Sequence, residues 1–123
     1  ALRPIQAVQA ALNDAYRRET ERVVAYVHSQ GWPLDPSRVD WAVVGVLLGQ
    51  GHDPQAVQRA ILEVSPELEQ RHRDPVGYAR RTVENALSEP RTAAMRQEAL
   101  EKQQREGQQR GQSLGRGRGG LEL

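Results

Sequence analysis

Along the first part of the chain Ile5, Val8, Leu12, Tyr16, Thr20, Val23 and Val27 follow one another at steps of three and four. That spacing puts them on one face of a long amphipathic helix over about residues 4–30, with Arg17, Arg18, Glu21 and Arg22 on the opposite face. Gly31 suits the left-handed position just past a helix end, which sets Trp32 over Val27, and Pro33 prevents the helix from continuing.

Three further helices start with one signal, an Asp followed by Pro, at Asp35-Pro36, Asp53-Pro54 and Asp74-Pro75. The Asp accepts from amides that have no partner at a helix start, and the Pro gives up only an amide that had none. These carboxylates are boundary signals rather than catalytic groups. At the first of them Ser37 competes with Asp35 as cap, with Asp40 as a weak capping-box partner.

The segment from about 36 to 50 is apolar on most sides (Val39, Trp41, Val43, Val44, Val46, Leu47, Leu48), which predicts a central, buried helix. Gly45 inside it costs about 1 kcal/mol relative to Ala, and a close helix crossing would account for it. Gly49-Gln50-Gly51 ends that helix, and Val57, Ala60, Ile61 and Val64 stripe the next. Ser65-Pro66 stops the third helix and starts a short turn through Leu68. Val76, Ala79, Val83, Ala86 and Leu87 stripe a fourth helix that Pro90 terminates.

Residues 92–106 remain helix-forming, but their second half is Glu, Lys, Gln and Arg, so this helix is expected to project. After Gly107 the Gln/Gly/Arg stretch has too little apolar surface to offset the entropy of ordering it. The pattern therefore predicts an all-α fold, a small bundle of four to five helices with a long N-terminal helix. Its organisation is a bundle over 1–90, a C-terminal helix over 91–106 and a disordered Arg/Gly-rich tail over 107–123.

Composition narrows the core and the chemistry. Phe is absent and aromatics make up 4% of the chain, so the interior is expected from Val, Leu, Ile and Ala together with Trp32, Trp41, Tyr16, Tyr26 and Tyr78. The absence of Cys excludes disulfides, thiolate zinc sites and Cys nucleophiles, and fits a reducing, cytoplasmic setting. The longest apolar run, Trp41 to Leu48, is too short to span a bilayer, so no membrane partner is expected. The first residue is Ala rather than Met, which reads as a piece of a longer protein.

His28, His52 and His72 form no i, i+4 pair and have no matching carboxylate spacing, so no metal site is expected, and no phosphate-cradling Gly motif or nucleophile elbow points to a cofactor or to catalysis. The helices joined at Gly49–Pro54 could form a DNA-reading helix-turn-helix, although Gln55, Gln58, Arg59 and Glu63 offer few contacts to a duplex. The formal net charge is only +1, but Arg71, Arg73, Arg80 and Arg81 cluster with His72 around one turn. Fixed guanidiniums hold phosphates, and Tyr78 beside them could stack on a base. The competing reading pairs Arg71 and Arg73 with Glu67, Glu69 or Asp74 and packs Tyr78 in the core. In the tail, Gly115-Arg116-Gly117-Arg118-Gly119-Gly120 resembles segments that bind RNA or single strands without sequence preference.

Several of these residues together carry a resemblance. Asp40-Trp41-Ala42-Val43-Val44, Leu47-Leu48, Gly51, Asp53-Pro54, Val57, Ala60-Ile61, Ser65-Pro66-Glu67-Leu68, Arg71 and Tyr78-x-x-Arg81-Thr82-Val83 resemble the C-terminal helical domain of plasmid mobilisation relaxase/replication primase proteins of the MobA/RepB type, and related TraI-type conjugative relaxases. The likeness covers about residues 10–90. Family members have a Lys-Pro-Gly-His-like turn where this chain has His72-Arg73-Asp74-Pro75, one residue shorter.

The resemblance implies a helix bundle beside a catalytic relaxase or primase domain elsewhere in the parent protein. The metal-binding carboxylates of primases, and the nicking Tyr and metal histidines of relaxases, would lie there, so Tyr16, Tyr26 and Tyr78 are not expected to be nucleophiles. The function expected is accessory: engagement of single-stranded DNA through Arg71, Arg73, Tyr78, Arg80 and Arg81, with Arg17 and Arg18 as further candidates. The alternative is a docking domain of the mobilisation or replication complex that uses residues 92–106 and does not touch DNA.

Overall fold

The computed structural model describes residues 4–122, with side chains described for residues 4–110. The elements are α1 (Pro4–Ser29), α2 (Pro36–Gly49), α3 (Pro54–Val64), α4 (Leu68–Arg71), α5 (Pro75–Ser88) and α6 (Pro90–Glu122), with no strand among the described residues. Helix α2 is central, packed against α1, α3, α5 and α6.

The helix ends are local chemistry. Asp35, Asp53 and Asp74 each accept a backbone N–H at 3.0 Å, from Ser37, Ala56 and Gly77. At the end of α1, Gly31 has φ +71°, its amide donates to the His28 carbonyl, and the Trp32 amide donates to the Val27 carbonyl at 3.2 Å. The same two-bond closure ends α2: Gly51 has φ +98°, and the His52 amide donates to the Leu47 carbonyl. Pro90 ends nothing by itself. It opens α6 one residue after α5 stops, with the Glu89 carboxylate accepting from the Thr92 amide at 2.9 Å.

The core is aliphatic, built from Leu12, Val39, Val43, Val44, Leu47, Leu48, Val57, Ala60, Ile61, Leu68, Ala79, Val83 and Ala86, with Tyr16 and Tyr78. Three aromatics expected inside are not: Tyr26 and Trp32 are each 55% exposed and Trp41 is 47% exposed. Tyr26 and Trp32 instead pair edge to face, 5.8 Å between ring centroids. Of the predicted stripe of α1, Leu12 and Tyr16 are buried, Thr20, Val23 and Val27 are half-buried, and Ile5 and Val8 are exposed. On α5 the stripe is turned: Val76 is exposed, and Tyr78 and Thr82 fill the core face.

The first turns of α6 pack into the bundle rather than project. Thr92 is buried, Met95 lies against Gly49, and the Arg96 Nη1 donates to the carbonyls of Leu48 and His52 at 3.1 and 2.6 Å. That guanidinium ties the start of α6 to the end of α2 and to the turn after it, where the Leu48 carbonyl also accepts from the Gly51 amide at 3.0 Å. From Glu101 to Arg110 the helix is exposed, and it passes through Gly107. A disordered tail is expected over 107–123, and the side chains of its residues 111–123, Arg116 and Arg118 among them, lie outside the described residues.

Candidate nucleic-acid interface

Asp40 is one residue beyond the first turn of α2 and is 3% exposed. Its Oδ1 accepts from the Tyr16 hydroxyl at 2.6 Å, and its Oδ2 accepts from the Tyr78 hydroxyl at 2.9 Å and from the Arg71 Nη2 at 3.2 Å. The Ser65 hydroxyl lies 3.0 and 2.9 Å from the two carboxylate oxygens and accepts from the Arg71 Nη2 at 2.8 Å. One carboxylate thus ties α1, α2, the end of α3, α4 and α5 together. A buried charge survives only when paired and fully hydrogen-bonded, which this one is.

This arrangement changes the reading of two expected DNA contacts. Arg71 is sequestered: its side chain is 18% exposed, and its Nε and Nη1 donate to the Pro66 carbonyl and the Ser37 hydroxyl. Its partner is Asp40, not Glu67, Glu69 or Asp74. Tyr78 is a core residue whose ring face is covered by His72, stacked at 3.7 Å with 16° between planes. Neither side chain presents a free surface to a strand. The capping-box role expected for Asp40 is replaced by this network.

The surroundings of Tyr16 and Tyr78 also favour the neutral hydroxyl over the phenolate. Burial, reinforced by the Asp40 charge and hydrogen bond, pushes the Tyr16 hydroxyl far above its ordinary range. Burial also raises Tyr78, against the opposing hydrogen bonds of Ser37 and Arg71.

The remaining expected contacts are on the surface. Arg73, Arg80 and Arg81 are exposed around the start of α5, where Arg81 folds back over Gly77 beside the Asp74 cap. Arg80 reaches Glu84 only at 4.0 Å, a solvent-exposed pair of small energetic value. Arg17, paired with Asp14 at 2.9 Å, and Arg18 are exposed on α1. Arg73, Arg80 and Arg81 thus lie just before and on the first half of α5, and Arg17 and Arg18 lie on α1. Among the described residues no His, Asp and Glu cluster could hold a metal ion.

Two residues escaped the sequence reading. The hub role of Asp40 has no local signal, since it depends on helices far apart in sequence. Trp41 looked like core because its neighbours are.

No characterised protein and no solved structure gives a significant match to the chain. A family does: residues 34–86, which contain Asp40, Ser65, Arg71 and Tyr78 of the buried network, match the RepB DNA-primase C-terminal helical domain, and this match supports a RepB-type primase C-terminal domain over that stretch.

Proposed function

We propose that this chain is the accessory helical domain of a plasmid DNA-processing protein of the primase type, acting in the cytoplasm and engaging single-stranded DNA next to a catalytic domain that performs the chemistry. The observation that carries the reading is the match of residues 34–86 to the RepB DNA-primase C-terminal helical domain. The chain's own contribution is positional: it holds the template strand by phosphate neutralisation and docks on the catalytic domain, without a metal, cofactor or nucleophile of its own. The side chains suited to phosphate are Arg73, Arg80 and Arg81, all exposed, with Arg17 and Arg18 as a secondary set. A relaxase parent is less favoured, because the matching family is a primase family.

Fluorescence polarisation with a labelled single strand across a salt series tests this. If three phosphates are neutralised, log K falls against log salt with a slope of about −2. An Arg73, Arg80, Arg81 triple alanine variant should flatten that slope and weaken binding. Absence of binding by the native chain at low salt overturns the reading.

A further inference from the structure

Trp41 is half-exposed on the central helix of the bundle, an unusual place for the largest apolar side chain. Its location is bracketed by two contacts. One turn before it, the Ser37 hydroxyl accepts from Arg71; one turn after it, Gly45 faces the Thr92 hydroxyl, with 3.5 Å to the position a Cβ would take. The indole therefore lies on the rim of α2 between its contact with the end of α4 and its crossing with the start of α6.

Cations flank that rim on each element. Arg38, one turn from Trp41 on the same face, has a side chain 89% exposed. Arg73 follows the Arg71 contact by two residues, and Arg91 immediately precedes Thr92; both are exposed. The carboxylates nearby are engaged at helix starts: Asp35, Asp74 and Glu89 each accept a backbone N–H. Arg38 also stands 3.7 Å from Asp35, a solvent-exposed pair of small energetic value, so the surface offers one open aromatic ring with guanidiniums close to it along the chain.

That combination fits a nucleic acid better than a protein. The residues three and four positions from Trp41 on α2 are Ser37, Arg38, the buried Val44 and Gly45, so the indole is not part of an exposed apolar stripe of that helix. A strand needs one ring for a base and cations spaced for the flanking phosphates. The other exposed aromatics, Tyr26 and Trp32, already cover each other edge to face.

We propose that Trp41 is the base-stacking contact for a single nucleic-acid strand, with Arg38, Arg73 and Arg91 on the phosphates either side. This rests on the single-strand reading above and supplies the stacking residue that the buried Tyr78 does not.

The test uses the full chain and an oligothymidylate. Trp32→Phe leaves Trp41 as the only indole, and Trp41→Phe leaves Trp32. The strand should quench emission of the first variant strongly and of the second little. Trp41→Leu, checked for native helicity by circular dichroism, should bind roughly 5- to 160-fold more weakly, the range for loss of one stacked base. Trp41→Phe should retain most of the affinity. If polarisation shows the strand bound while Trp41 emission is unchanged and Trp41→Leu binds like the native chain, the stacking assignment is overturned, the single-strand reading stands, and the Trp41 face belongs to a protein partner. If the native chain binds no strand at low salt, both fall.

Discussion

The guanidinium of Arg71 stands 3.2 Å from the carboxylate of Asp40, in the centre of the bundle and 31 residues away in sequence. Removing either partner strands the other. Asp40→Ala leaves a half-buried guanidinium and two tyrosine hydroxyls without their acceptor, and should cost about 3 kcal/mol in urea unfolding. Asp40→Asn keeps the shape but not the charge, and should cost less. A midpoint for Asp40→Ala equal to that of the native chain would show that the network contributes nothing.

Two glycines inside helices should respond in opposite directions to Ala. At Gly45 a Cβ would sit 3.5 Å from the Thr92 hydroxyl, an ordinary contact, so the crossing with α6 does not forbid a methyl group. Gly45→Ala should raise stability by about 0.5–1 kcal/mol. At Gly77 a Cβ would fall 2.1 Å from the Asp74 Oδ2 and 2.9 Å from the Arg81 Nη1. Gly77→Ala should therefore displace the cap of α5 and lower stability by about 1 kcal/mol. Thermal melts of the two variants side by side decide both.

Acid should weaken the α2–α6 junction through His52. Burial, and then the charge of Arg96, lower its pKa below the ordinary 6.5. Between that lowered value and 6.5 the unfolded chain binds more protons than the folded one, so stability rises with pH through this window and is lost as pH falls through it. His52→Gln should flatten the slope of unfolding free energy below pH 6.5, and Arg96→Ala should flatten it in part. An unchanged slope in His52→Gln would assign the acid sensitivity elsewhere.

The opposite limb is set by the tyrosines. Tyr16 and Tyr78 are raised in the fold above the ordinary 10.0, so above that pH the unfolded chain loses protons that the folded chain keeps. Stability should fall as pH rises past 10, and ultraviolet titration should show tyrosine ionisation coinciding with unfolding.

Helix α6 should divide into a docked and a dispensable part. A chain ending at residue 106 keeps Thr92, Met95 and Arg96 and should melt close to the native chain. One ending at residue 89 uncovers Gly49 and removes the Arg96 donor from the Leu48 and His52 carbonyls, and should melt well below it.

What the sequence determined by itself is nearly everything governed by neighbours along the chain. The three Asp-Pro starts, the Gly31 and Gly51 ends and the helical class follow from interactions spanning a few residues, and they stand in the structure as the pattern predicts. Only the tertiary structure decided which side chains share the interior. Asp40 has the same local surroundings whether it caps a helix or anchors four others, and the choice comes from Tyr16, Ser65, Arg71 and Tyr78 arriving from other elements. The same holds in reverse for Val76 and Trp41, apolar residues left outside because no neighbouring helix covers them. Periodicity defines a face, but burial requires something packed against it. For that reason the ion-paired Arg71 and the buried Tyr78 gave way, as candidate strand contacts, to the exposed arginines of α5 and to Trp41.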